Sequence, residues 1–150
     1  MYMNQANLKT LDSVKKYSQV SINTGIEGAS PHRLIQMLLD GACARIVAAK
    51  SYIKQNQANK KGECISRAIS IIGGLRDSLD HKVGGDMSKN LDSLYEYMSY
   101  RLMEANLKND IDILDEVNSL LTDIKTAWAA IGESPDTNNS TVSDSTRKVV

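Results

Sequence analysis

From Leu34 onward the apolar residues recur three and four positions apart, the spacing that gathers side chains on one face of an α-helix. Leu34, Ile35, Leu38, Leu39, Ala42, Ile46, Ala49 and Ile53 trace a first helix. At ~100° per residue its apolar arc covers more than half the circumference, so it has to face two neighbours, or one neighbour and a ligand. Leu34 and Tyr52 lie at one margin of the arc, Val47 at the other, and Met37 further out. Ser30 supplies an N-cap and Pro31 a preset φ at the first helical position. Gly41 in mid-helix costs ~1 kcal/mol relative to Ala, which predicts the close approach of another backbone.

Three more helices follow. The polar stretch Gln55 to Gly62 makes a turn, and Ile65, Ala68, Ile69, Ile72, Leu75 and Leu79 form the second stripe. That helix is predicted to end in His81-Lys82-Val83-Gly84-Gly85, with bases at the negative end of the dipole and glycines at the stop. Asp86 or Ser88 then caps a third helix through Leu91, Leu94, Tyr95, Met98, Leu102 and Ala105. Asn109 and Asp110 open a fourth, with Ile113, Leu114, Val117, Leu121, Ile124 and Trp128 inward and Gly132 and Pro135 at its close. The pattern predicts an all-α chain: an antiparallel up-down four-helix bundle over residues 30–132. Residues 1–29, with a thin stripe (Leu8, Leu11, Val14, then Tyr17), form an N-terminal capping segment. Residues 133–150 have few apolar positions and no period and are predicted to be a disordered tail.

Composition sharpens this picture. Only two prolines and no phenylalanine occur in 150 residues, which favours long helices. Eighteen basic residues balance eighteen acidic ones, so no bulk charge draws the chain to nucleic acid or anionic lipid. No apolar run approaches the ~20 residues of a membrane span, and the start of the chain lacks a signal-peptide block; the default is cytoplasmic. Cys43 and Cys64 sit inside helical patterns and are read as reduced thiols packed in or near the core.

Candidate chemistry is sparse. His32 and His81 belong to no metal-ligand spacing, and inward positions are aliphatic where a di-iron bundle needs carboxylates and histidines. Gly73-Gly74 and Gly84-Gly85 lack the spacing of a phosphate loop. No catalytic residue, metal or cofactor is expected. One enzyme-like alternative rests on architecture: histidine phosphotransfer bundles carry an exposed histidine, and His81 beside Lys82 is the candidate. The plainer reading is that His81 complements a helix dipole.

The informative anomaly is surplus apolar surface. Opposite the inward stripe of the third helix stand Tyr100, Met103 and Leu107, and three of the six tyrosines crowd residues 95–100. Tyrosine and methionine offer large, adaptable contact area to a partner. Either a partner or the chain's own flanking segments cover this strip, and a segment can cover a groove until a ligand displaces it. Self-association through it, giving a homodimer, is a further alternative.

One run is specific: Asn90-Leu91-Asp92-Ser93-Leu94-Tyr95-Glu96-Tyr97-Met98, continuing to Arg101-Leu102 and Ala105-Asn106. It resembles the Asn-Leu-x-x-Leu-Tyr-x-Tyr-Met-x-x-x-Leu-x-x-Ala-Asn signature of the FliS family of flagellar secretion chaperones. Ala29-Ser30-Pro31 with Leu34-Ile35 and Met37-Leu38-Leu39-Asp40-Gly41-Ala42 resembles that family's first-helix signature, and Gly84-Gly85 and the late Trp128 also fit. The likeness runs from Tyr17 to about Ile131. It departs at Leu39, where the family often has an aromatic, and in the lead-in Gly25 to Pro31. The resemblance implies a cytosolic export chaperone, not an ATPase. It would bind the disordered C-terminal segment of flagellin in apolar grooves, prevent premature polymerisation, and deliver it to the export gate of the flagellar type III apparatus. Expected cargo-facing residues are Tyr17 in the cap, Leu34, Met37 and Leu38 on the first helix, and Tyr97, Tyr100, Met103 and Leu107 on the third. Asp40, Asn90, Arg101 and Asn106 are expected to be structural, and Trp128 to lie in the core.

Overall fold

The computed structural model describes residues 28–132, which form four helices: α1 Pro31–Lys54, α2 Ala58–Asp77, α3 His81–Lys108 and α4 Ile111–Ile131. Tyr17 and the expected cap and tail lie outside the described residues. α1 starts as its sequence dictates. Ser30 Oγ accepts from the Arg33 amide at 3.0 Å, with Pro31 in the first turn. Asp110 caps α4 in the same way, accepting from the Ile113 amide, and Gly132 at φ 77° follows its last turn.

Two boundaries differ from the expectation. The polar turn is shorter than Gln55 to Gly62: α2 already begins at Ala58. Lys61 occupies an inward position there, only 7% exposed. Its ammonium donates to the Asn106 carbonyl at 2.9 Å and to Asn109 Oδ1 at 2.7 Å. A lysine thus satisfies one last-turn carbonyl of α3 and the side chain of its C-cap, as a cation at a helix C-terminus does, and its charge hides the apolar period.

The second difference is at the α2–α3 junction. α2 stops at Asp77, and His81 opens α3 instead of closing α2. The cap is Asp80, not Asp86 or Ser88: its carboxylate accepts from the Lys82 and Val83 amides, each at 3.1 Å. The paired glycines make a kink inside α3 rather than a stop. Gly85 holds φ 54° and ψ −126°, a conformation an L side chain strains to adopt. A Cβ on Gly84 would sit 1.8 Å from Ser88 Oγ, whose hydroxyl donates to the Asp80 carbonyl at 3.0 Å. His81 and Lys82 therefore stand at the positive end of a helix, and the dipole-complementing role expected for His81 does not hold.

α1 packs on α2 and α4, and α3 packs on the same two, so α1 and α3 occupy opposite corners of an antiparallel up-down bundle. Leu39, Ile46, Ile65, Ile72, Leu75, Met98, Leu102, Leu114 and Leu121 are the large side chains sealed at its centre. Burying each contributes ~1.5–3 kcal/mol relative to exposure. The neighbour of Gly41 is a side chain, not a backbone: its added Cβ would meet Ile71 Cδ1 at an ordinary 3.6 Å. Ion pairs tie the seams, Asp40 with Lys125 and Lys50 with Asp115 between α1 and α4, and Arg76 with Asp92 between α2 and α3. Asp40 is thus structural, as expected. Burial raises the pKa of the Cys43 thiol, in keeping with a quiet, reduced cysteine.

Trp128 has a more specific place than the core. It is half-buried, its ring stacks on His32 at 4.8 Å between centroids and 9° between planes, and its Nε1 donates to the His32 carbonyl at 2.9 Å. His32 Nε2 lies 2.8 Å from the Trp128 carbonyl in return. This reciprocal clasp joins the first turn of α1 to the last turns of α4. Among the described residues no helix is long and apolar enough to cross a membrane.

Candidate protein-binding face

α3 carries apolar side chains on both of its faces. Inward, Tyr95, Met98, Leu102 and Ala105 are sealed, and burial pushes the Tyr95 hydroxyl up to about 12. Outward, Tyr97 is 42% exposed, Tyr100 66%, Met103 56% and Leu107 83%. Steps of three and four residues align these four over nearly three turns. Scattered exposed apolar residues are ordinary on a protein surface; a continuous row of large ones marks an interaction face.

Charged residues flank this strip on both sides, and each side is internally paired. Toward α4, Tyr97 Oη donates to Glu116 Oε2 at 2.6 Å, and Arg101 Nε donates to Glu116 Oε1 at 2.8 Å. Arg101 also reaches Glu104 at 2.7 Å, and Glu104 takes Lys108 at 2.9 Å. These bonds, Tyr97 first and then Arg101, hold the Glu116 carboxyl below the usual range. Toward α2, Arg76 grips Asp92 at 2.6 and 3.3 Å, with Glu96 nearby. That grip lowers the pKa of Asp92. Arg101 and Asn106 are structural, as expected, the latter through its carbonyl; Asn90 is simply exposed.

The remaining candidates scatter. Leu34 and Met37 are half-buried on α1, diagonally across the bundle from the strip. Leu38 is a core residue at 3% exposure and offers no surface to a guest. The expectation for it fails because an arc wider than half a helix leaves margin and centre indistinguishable. A second apolar feature went unforeseen. A cavity of about 330 Å³ opens where α1 starts, α2 ends, α3 kinks and α4 ends, lined by Ile35, Leu39, Leu75, Leu91, Tyr95 and Trp128. Val83 and Met87, both exposed, also line it. A helix end placed at His81–Gly85 concealed this, because it assigned Val83 to the wrong element.

His81 is exposed in the first turn of α3, not in mid-helix where a phosphotransfer bundle carries its histidine. Among the described residues no His, Cys, Asp and Glu group is arranged to hold a metal ion. What is built here, among the described residues, is a helical bundle with an exposed apolar row between two self-paired charged flanks, a surface of the kind that suits a protein-binding module.

The chain belongs to the FliS family: the family model described as flagellar protein FliS matches residues 13–135. The flagellar secretion chaperone FliSB of Pseudomonas aeruginosa is 47% identical over 121 residues, covering 81% of this chain and 96% of that protein. The flagellar secretion chaperone FliS of Salmonella typhimurium is 45% identical over 123 residues, covering 81% and 91%. The Bacillus subtilis protein of the same name is 35% identical over 112 residues, covering 75% and 80%. The chain is accordingly a chaperone of flagellar export and not an enzyme, which removes the phosphotransfer alternative.

Proposed function

We propose that this chaperone, working in the cytoplasm, holds the disordered C-terminal segment of flagellin. By covering that segment it keeps the subunit from polymerising, and it hands the subunit to the export gate of the flagellar secretion system. The observation that carries this reading is the row Tyr97, Tyr100, Met103 and Leu107, four large side chains in water on a helix whose other face already fills the core. An amphipathic segment that folds on contact would bury such a row, the helix-in-groove mode of recognition. Leu34 and Met37 on the far corner, and the cavity by Val83 and Met87, offer further apolar contacts. A guest touching both α3 and α1 has to travel round the bundle, a path of roughly 40 Å given helix diameters of ~10–12 Å, or about 25 residues if helical. Ordering so long a guest costs several kcal/mol, which holds affinity down despite the buried area.

Calorimetric titration with a flagellin C-terminal peptide of about 40 residues tests the proposal. Saturable binding with a negative heat-capacity change is expected, because apolar burial produces that sign. No binding at tens of micromolar overturns it.

A further inference from the structure

The strip is wider than its apolar atoms. Tyr97 stands at its edge, and an exposed tyrosine on a helix normally exchanges rotamers within nanoseconds. Here the phenol is tied across to α4: its hydroxyl donates to Glu116 Oε2 at 2.6 Å. Glu116 is itself held, because Arg101 Nε takes its other oxygen at 2.8 Å. Arg101 is fixed in turn at its far nitrogen by Glu104, and Glu104 by Lys108. Tyr97 and Arg101 are one helical turn apart, so a single carboxylate from the neighbouring helix spans both. Among the described residues the other flank has no counterpart: Asp92 there accepts from the Arg76 guanidinium, with no tyrosine hydroxyl beside it.

We infer that Glu116 is a positioning residue for the guest chain, presetting the ring of Tyr97 at the edge of the binding strip. This rests on the function proposed above and adds a charged residue on α4 to the apolar row on α3. Its logic is preorganisation: a ring already fixed needs no ordering when the guest arrives, and immobilising one side chain at an interface changes affinity by roughly three- to tenfold. Glutamine is a poor substitute for Glu116, since the two donors reach different oxygens and the glutamine NH2, itself a donor, would face one of them.

The test compares Glu116→Ala, Tyr97→Phe and the double variant, each titrated with the same flagellin peptide. Either single change is expected to weaken binding by roughly three- to tenfold, and the double variant to be no weaker than either, because both cut one linkage. Additive losses, or wild-type affinity in Glu116→Ala, overturn the inference. Aromatic NMR line shapes and relaxation of the Tyr97 ring, recorded on the chaperone alone, provide the readout that needs no guest. The ring is expected to be ordered in the wild type and averaged in Glu116→Ala; an unchanged ring overturns the inference. Failure of the wild type to bind the peptide would bring down the functional reading and this one together. Wild-type binding that ignores Glu116 brings down only this one.

Discussion

The two faces of α3 are made of the same materials. Inward stand Tyr95, Met98 and Leu102; outward stand Tyr97, Tyr100, Met103 and Leu107. One set is excluded from water and the other bathed in it, although residue types barely differ. Residue type therefore says little about role on this helix, and angular position says nearly everything. The inward set is bound by the close-packing of a core, where a missing methylene leaves a void. The outward set has no such partner inside the described fold, and its exposed area is what a guest would remove from water.

Substitution is the most direct way to break that contrast. Leu102→Ala is expected to lower stability by about 2–5 kcal/mol. Leu107→Ala, five residues on, should stay within about 0.5 kcal/mol of wild type. Urea unfolding midpoints decide, and equal losses would abolish the distinction between the faces. Next in size, Tyr100→Asp with Met103→Asp should weaken flagellin-peptide binding by at least about tenfold, as loss of interface anchors does. Helicity and the unfolding midpoint should be preserved; a collapse of helicity would show that these side chains belong to the interior.

A smaller effect sharpens the inward side of the argument on α1. Gly41→Ala should raise stability by about 0.5–1 kcal/mol, because the new methyl meets Ile71 at ordinary contact distance. A loss would mean that the α1–α2 seam is tighter than its 3.6 Å contact implies. The smallest effect comes from the charged flank. Arg76 depresses the Asp92 carboxyl, so its contribution is fully present above the ordinary carboxylate pKa of ~3.9 and fades as pH falls through and below that value. Asp92→Asn should flatten the acid limb of the stability curve by less than about 1 kcal/mol, the usual worth of a surface pair. An unchanged limb would show that this flank is tied only in the crudest sense.

Much of this was written in the chain. The four stripes, Ser30 and Pro31 at the start of α1, Asp110 at the start of α4 and the outward row on α3 all follow from local rules, because each depends on neighbours within one or two turns. What escaped depends on distant partners. Lys61 reads as loop because nothing nearby announces that the end of α3, some 45 residues on, awaits its ammonium. Gly84 and Gly85 read as a terminator, whereas one admits Ser88 and the other bends the helix. Leu38 could not be told from a margin residue on an arc that wide. The bonds from Glu116 to Tyr97 and Arg101 join separate helices, and a charge run on one helix gives no hint of its correspondent on another.

The clasp of His32 and Trp128 has a practical corollary for anyone who handles this protein. An even number of antiparallel rods brings the chain back to the pole it left, so residue 28 and residue 132 emerge side by side next to the apolar cavity. A reporter or affinity handle joined directly at residue 28 or residue 132 would crowd that pole, and one at each would crowd it twice. Splicing residue 132 to residue 28 with a short linker and reopening the chain at Gln55–Gln57 would send any extensions out of the opposite pole. The cavity would then lie at the pole away from both extensions.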